Sequence, residues 1–469
     1  MKDMQANDME IEVLSKEEKR EMRRQERMRK QKRAIAVLIV LVLMLVGIVV
    51  SAVLLINKQK ETKRQQQEVQ EQIASMNSGE VLEESVVTTE EHIAEEDGNG
   101  IEASEVTEEN NDGTDIVEAK VLDEVVEAII SEMTLEEKVA GLFVVTPESI
   151  TGVNTAVQAG EGTKSALEKY PVGGLVYFKK NIQSEEQIKE MVEKSISFCK
   201  YPMFIAVDEE GGEVARLAEG LKLENIGSMA DIGSTGDTNN AYEAMKTVGS
   251  YMTSYGFNLN FAPVADVLTN EDNVAIGDRS FGSDANVVAG MVTAAINGLE
   301  ENGVTACVKH FPGLGDASED THNGLVVIDK SLDELKQTEL LPFISAIENG
   351  ANMIMVGHMA LPQIVGDNTP ATMSKEVISE LLRSELGFNG VVITDAMNMA
   401  AITEYYGADE AAIRAFRAGA DMVLMPENFE TAYNGVIEAV KEGTISEERI
   451  NNSLKRVFRI KYADSVGSE

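Results

Sequence analysis

The stretch Val304-Thr305-Ala306-Cys307-Val308-Lys309-His310-Phe311-Pro312-Gly313-Leu314-Gly315-Asp316, followed by Asp320-Thr321-His322, governs how the remaining sequence is read. An apolar run that ends abruptly in charged and glycine-containing sequence is a buried strand delivering polar groups to a loop. Two of the chain's 4 histidines fall here. Asp320 and His322 stand two apart, close enough for the carboxylate to orient and charge the imidazole, which is the chemistry of a general acid/base.

Short apolar runs alternate with helical patterns from residue 122 to residue 464. The strand candidates are Gly141–Val145, Gly174–Phe178, Met203–Val207, Leu259–Val264, Thr305–Val308, Met353–Val356, Gly390–Ile393 and Met422–Met425. Between and after them the helical candidates are Glu185–Lys200, Ala241–Tyr255, Val287–Asn302, Leu332–Asn349, Lys375–Glu385, Asp409–Ala418 and Glu430–Glu442, with a final amphipathic helix from Ile445 to Tyr462. Gly256, Gly303, Gly350 and Gly443 stand where helices commonly stop. Eight strands, each followed by helical material, predict an α/β fold, a single (β/α)8 TIM-type barrel. A doubly wound open sheet is the alternative, but it rarely needs eight evenly spaced repeats.

A barrel places catalytic groups at the C-terminal ends of its strands. Asp208 follows the third candidate strand, Asp266 the fourth, Lys309-His310 the fifth, His358 the sixth and Asp395 the seventh. An isolated Asp after a strand often does no more than cap the next helix. Combined with an acid/base on the fifth loop, Asp395 becomes a candidate nucleophile. Retaining glycoside hydrolysis needs one carboxylate to attack the anomeric carbon and a second group to protonate the leaving oxygen. An Asp-paired His can serve as that second group because its pKa lies near working pH. Asp208 and Arg216 add a carboxylate and a guanidinium near the same mouth, and Arg279 offers another guanidinium in the tight loop Gly277–Gly282. Surface salt bridges explain many such arginines.

The N-terminal quarter has a different character. Ala34 to Ile56 is 23 residues without a charge, long enough to cross the hydrocarbon core of a bilayer. Residues 16–33 carry 10 Lys and Arg against 4 acids, so the positive-inside rule places segment 1–33 in the cytoplasm and everything after the anchor outside. A cleaved long signal sequence is the alternative. Residues 57–121 are expected to form a disordered acidic linker, since positions 65–119 hold 17 acids and no Lys or Arg. From Val121 onward the net charge is −29, which argues against nucleic acid and anionic membrane surfaces as ligands of this part. Cys199 and Cys307 lie in apolar contexts and read as buried thiols.

As a set, these motifs resemble glycoside hydrolase family 3 β-N-acetylglucosaminidases of the NagZ-like branch. The likeness is carried by Lys309–Gly313, Gly315-Asp316 and Asp320–His322, together with Asp208–Gly212, Asn260–Val264, Gly277–Gly282, Pro370–Ser374 and Thr394–Met397, and it extends to Met133–Lys138. It covers about residues 122–464, with the motifs in family order. The resemblance implies that Asp395 is the nucleophile, His322 the general acid/base and Asp320 its orienting partner. It also implies that Asp208, Arg216, Arg279, Lys309 and His310 bind the N-acetylglucosamine (GlcNAc) ring. The implied activity is exo-removal of terminal β-linked GlcNAc from GlcNAc-containing oligosaccharides or muropeptides, with no metal and no organic cofactor. Two-domain relatives that cleave glucosides take their acid from a second domain. Here the sequence ends shortly after the eighth strand candidate, so the acid is expected from the barrel, and the catalytic part is expected to be monomeric.

Leu314 stands where relatives commonly have a second His, and Glu213 where they often have Arg. Both bear on substrate preference more than on the reaction. Three other readings remain open at this point. A metal-dependent barrel hydrolase using His310, His322, His358 and Asp395 lacks the usual ligand spacing, and Lys309 would repel the cation. A non-catalytic wall-binding module would be expected to have lost Asp395 or the Asp320/His322 pair. Transfer to phosphate in place of water is compatible with a His acid/base.

Overall fold

The computed structural model describes residues 113–318, 321 and 324–463. The apolar runs become eight parallel strands: β1 Phe143–Val145, β2 Gly174–Val176, β3 Phe204–Val207, β4 Leu259–Asn260, β5 Thr305–Phe311, β6 Met353–Val356, β7 Val391–Thr394 and β8 Val423–Leu424. They hydrogen-bond in the order β7-β6-β5-β4-β3-β2-β1-β8. In register, Val144 opposes Gly174, Ala206 opposes Leu259, Val308 opposes Ile354, and Phe143 opposes Val423. A parallel bridge from Ile393 to Met422 brings the two ends of the sheet together. Strands covered on both faces have no use for polar alternation, and nearly every residue in these eight is buried. The barrel expected from the sequence is the one observed.

Three differences from the sequence reading have physical causes. The apolar pattern predicts that β4 reaches Val264, but it stops at Asn260, because Pro263 has no N–H to give a ladder. Carbonyls of Ala262 and Pro263 still accept the N–H groups of Cys307 and Lys309. The helix expected over Leu332–Asn349 is two helices, Leu332–Gln337 and Leu341–Glu348, with Pro342 in the first turn of the second. Glu339 lies in the break and is fully buried. Finally, residues 113–121 belong to a helix, Gly113–Glu132, rather than to the expected linker. Val126, Ile130 and Met133 recur on one face and are buried, a pattern masked by the acid content of the same stretch. This helix pairs with the last one, Glu447–Lys461, through Arg459–Asp123 and Lys455–Glu127, each at 2.6 Å.

The expected anchor at 34–56, the basic segment 1–33 and the rest of the linker lie outside the described residues. Among the described residues, no helix is long and apolar enough to cross a membrane.

Helices Thr238–Ser254 and Ala285–Glu300 approach each other closely at a glycine. A Cβ on Gly298 would lie 2.3 Å from the Tyr242 carbonyl oxygen. Gly303, by contrast, has open space around it but a φ of 71°. Gly303→Ala is therefore expected to cost about 1 kcal/mol, through backbone conformation alone. Gly298→Ala is expected to cost about 2–3 kcal/mol because backbone must move. Urea midpoints test the order, and a neutral Gly298→Ala would contradict the packing account.

Candidate active site

Beyond β3 the chain stays extended. Glu209–Gly211 pairs antiparallel with Val214–Ala215 to form a small hairpin over the barrel mouth. Side chains alternate along extended chain, so Asp208 and Glu210 line the cavity while Glu209 points away. Glu209 accepts the N–H groups of Leu217 and Ala218 at 2.6 and 2.9 Å and the Tyr251 hydroxyl at 2.8 Å. It thereby fixes the start of the helix Arg216–Leu221, and with it Arg216. The Arg216 Nε is buried without a hydrogen-bond partner among the described residues.

β5 extends to Phe311, past the end expected at Val308. Its register against β6 shifts between Val308 and Phe311, and within that irregularity both Lys309 and His310 line the cavity. The Lys309 ammonium, 3% exposed, donates to Asp208 at 2.8 Å and pairs with Glu210 at 2.6 Å. Arg279, from the turn Gly277–Arg279 in the β4–β5 connection, grips the same Glu210 with two bonds of 2.8 Å. Burial pushes the Glu210 carboxyl up, but Lys309 and Arg279 outweigh it and bring the pKa from 4.5 down to about 2. Burial lowers Lys309, yet Asp208 and Glu210 hold it above its ordinary value. Charge alternates along Asp208, Lys309, Glu210 and Arg279, and all four line one cavity.

The other side of the site is built on β4, β6 and β7. Asp266 is fully buried and accepts His310 Nδ1–H at 2.7 Å and the Leu314 N–H at 2.6 Å. A carboxylate can only accept, so Nδ1 is the donor and Nε2 is the ring atom left for other partners. His358 meets the Ala396 carbonyl through Nε2 and the Thr372 hydroxyl through Nδ1, each at 3.0 Å. Asp395 follows β7, and its Oδ1 accepts the Ala396 N–H at 2.7 Å. Enclosure pushes the Asp395 carboxyl up, but His358, His310, the Ala396 N–H and Lys309 together bring it below its ordinary value. It is ionised at neutral pH.

The cavity has a volume of about 430 Å³, enough for a small ligand. Its wall brings together Asp208, Arg216, Arg279, Lys309, His310 and Asp395, six of the eight residues singled out from sequence. The other two, Asp320 and His322, lie outside the described residues. Thr321 between them is buried and lines the cavity. Leu314 acts through its backbone: its N–H goes to Asp266 and its carbonyl accepts the Asn273 amide at 2.7 Å. Its side chain adds apolar wall. Glu213 is exposed at the cavity edge. Glu210 and the partnership of Asp266 with His310 have no role in the sequence reading. The spacing of two between Asp208 and Glu210 is the signal that marks Glu210, once the hairpin is known to be extended. Among the described residues, no group of three His, Cys, Asp or Glu is arranged to hold a metal ion.

The sequence profile of the glycosyl hydrolase family 3 N terminal domain matches residues 134–460. Beta-hexosaminidase A of Pseudoalteromonas piscicida is 34% identical over 326 residues, covering 63% of this chain and 54% of its own length. Beta-hexosaminidase of Stenotrophomonas maltophilia (strain R551-3) is 35% identical over 276 residues, 58% of this chain and 81% of its own. The solved structure of a glycoside hydrolase family 3 beta-N-acetylglucosaminidase from Paenibacillus sp. str. FPU-7 superposes with a TM-score of 0.66 at 36% identity, covering 72% of this chain and 64% of that one. The chain thus spans about half the length of the Pseudoalteromonas protein.

Because the Glu210 pKa is lowered on folding, its stabilising contribution is full above pH 4.5 and is lost as pH falls through about 2. Glu210→Gln removes that titration and leaves Lys309 and Arg279 short of a carboxylate, at an expected cost of about 3–5 kcal/mol at neutral pH. Urea unfolding between pH 2 and 7 should show the gap between wild type and variant narrowing toward acid. A gap independent of pH would contradict the assignment.

Proposed function

The chain belongs to glycoside hydrolase family 3, and from that premise we propose that it is a retaining exo-β-N-acetylglucosaminidase. It removes terminal β-linked GlcNAc from GlcNAc-containing oligosaccharides, cell-wall fragments among them. The observation that carries this reading is Asp395: an ionised carboxylate at the end of β7, in the wall of a sugar-sized cavity whose other polar groups are donors and acceptors suited to hydroxyls. The names of the relatives agree with it.

In the first step an Asp395 oxygen attacks the anomeric carbon, the glycosidic C–O bond breaks, and His322 gives its proton to the leaving oxygen. In the second, His322 takes a proton from water, whose oxygen displaces Asp395 and releases GlcNAc with its configuration retained. Asp320 orients and charges the imidazole. Lys309 and Asp208, joined to each other, and Arg216, with donor capacity to spare, bind ring hydroxyls, as does Arg279. His310, fixed by Asp266, presents Nε2 to the sugar. Residues 34–56 hold the enzyme in the membrane with residues 1–33 in the cytoplasm and the catalytic part outside, a reading supported by the uncharged run and the basic cluster before it.

Kinetics of the full-length protein on aryl and natural β-GlcNAc glycosides test the two roles together. Asp395→Ala is expected to lower turnover at least about 10³-fold on every substrate while leaving the fold intact. His322→Ala is expected to lower kcat/KM about 10²-fold or more on disaccharides, and far less on aryl glycosides with good leaving groups, which need no proton. Wild-type-like turnover in the first variant, or equal losses on both substrate types in the second, would overturn the respective assignment. Free GlcNAc should be the product whether or not phosphate is present.

A further inference from the structure

Lys330 lies outside the cavity wall and bridges two carboxylates, Asp316 at 3.0 Å and Glu339 at 2.5 Å. Glu339 sits in the break between helices Leu332–Gln337 and Leu341–Glu348, is fully buried, and packs beneath the turn at Gly313, where a Cβ would lie 2.7 Å from its own. Its Oε2 has no hydrogen-bond partner among the described residues. A buried carboxylate with one oxygen unsatisfied is costly, and an apolar side chain of similar size would fill the gap without that cost. The interaction the structure gives this carboxylate is its ion pair with Lys330.

What the pair does hold is the chain at Asp316. The Thr269 hydroxyl also donates to the Asp316 carboxylate, at 3.1 Å. Asn270 donates its N–H to the Gly315 carbonyl at 3.2 Å and its amide to the Ala317 carbonyl at 3.1 Å. Asn273 holds the Leu314 carbonyl. Gly315 comes so close to the β4–β5 connection that a Cβ would lie 1.9 Å from the Val267 oxygen. Residues 314–317 are thus clamped from two sides: by the β4–β5 connection through neutral hydrogen bonds and the Thr269 hydroxyl, and by a later part of their own β5–β6 connection through the charged tie Lys330–Glu339. Five residues after Asp316 the chain is at the cavity wall, at Thr321.

We propose that Lys330 and Glu339 are positioning residues for proton transfer: they fix Asp316, and so the point from which the chain reaches Asp320 and His322. The inference rests on the functional reading above and assigns neither residue a contact with substrate. Its signature is selective. Loss of the tie impairs cleavage that needs a proton donor and largely spares cleavage that does not.

The test compares kcat/KM of the full-length wild type, Lys330→Met, Lys330→Arg and Glu339→Gln on a β-linked GlcNAc disaccharide and on dinitrophenyl β-GlcNAc. kcat/KM reports the steps through bond cleavage, where the proton is delivered. Lys330→Met is expected to lose about tenfold or more on the disaccharide and less than about threefold on the aryl glycoside, within the span that general acid catalysis supplies. Lys330→Arg should recover most of the loss. In a His322→Ala background Lys330→Met should add nothing, since the group it positions is gone. Equal losses on both substrates, or a loss that adds to that of His322→Ala, would show a merely structural role and overturn the proposal. If Lys330→Met does not fold, Glu339→Gln, which keeps the shape, decides on the same comparison. A folded wild type inert on both glycosides would instead remove the functional reading on which the inference stands.

Discussion

A buried ammonium ties the site together. Lys309 at the end of β5 reaches Asp208 and Glu210 beyond the end of β3, with β4 between the two strands. Taking such a cation out of water costs several kcal/mol, and it stays charged only because two carboxylates receive it. Glu210 in turn is charged only because Arg279 shares it with Lys309. Burial by itself works against the charge on both Lys309 and Glu210. Together they lock the connections after β3, β4 and β5 into one wall of hydrogen-bonding groups whose geometry is set before a ligand arrives, the condition under which binding groups act most efficiently.

The facing groups follow a different rule. Among the described residues, Asp395 has no tight Lys or Arg pair of its own. It is kept ionised by His358, His310, a backbone N–H and the more distant Lys309. A carboxylate locked in a short salt bridge would be a poor nucleophile; one stabilised by several weaker partners keeps a lone pair for an electrophilic carbon. Two carboxylates near one cavity are thereby given different environments: Glu210 is bound into an ion-pair cluster, whereas Asp395 has weaker partners, as the proposed nucleophile requires.

Much of this is legible in the sequence, for identifiable reasons. Strands buried on both faces are predominantly apolar, so runs such as Met353–Val356 and Val391–Thr394 announce themselves. Topology alone then places the residue after each run at the barrel mouth. What escapes depends on contacts across long separations. Glu210 looks like one more acid in an acidic chain until Lys309, far downstream, is brought against it. The break at Glu339 hides inside a helical pattern because local periodicity does not register a buried ion pair with Lys330. The helix Gly113–Glu132 is concealed by charge, although Val126 and Ile130 already mark its apolar face. The place of Leu314 becomes intelligible only when its backbone, rather than its side chain, is seen to hold Asp266.

Trapping a covalent bond between Asp395 and the sugar decides whether this carboxylate is the nucleophile proposed. Full-length protein treated with a 5-fluoro glycosyl fluoride of N-acetylglucosamine, which slows breakdown of the adduct, would be digested and analysed by mass spectrometry. One sugar residue is expected on the peptide containing Asp395 and none on the Asp395→Ala variant. A sugar attached at another carboxylate, or steady turnover of the reagent without any adduct, would contradict that assignment.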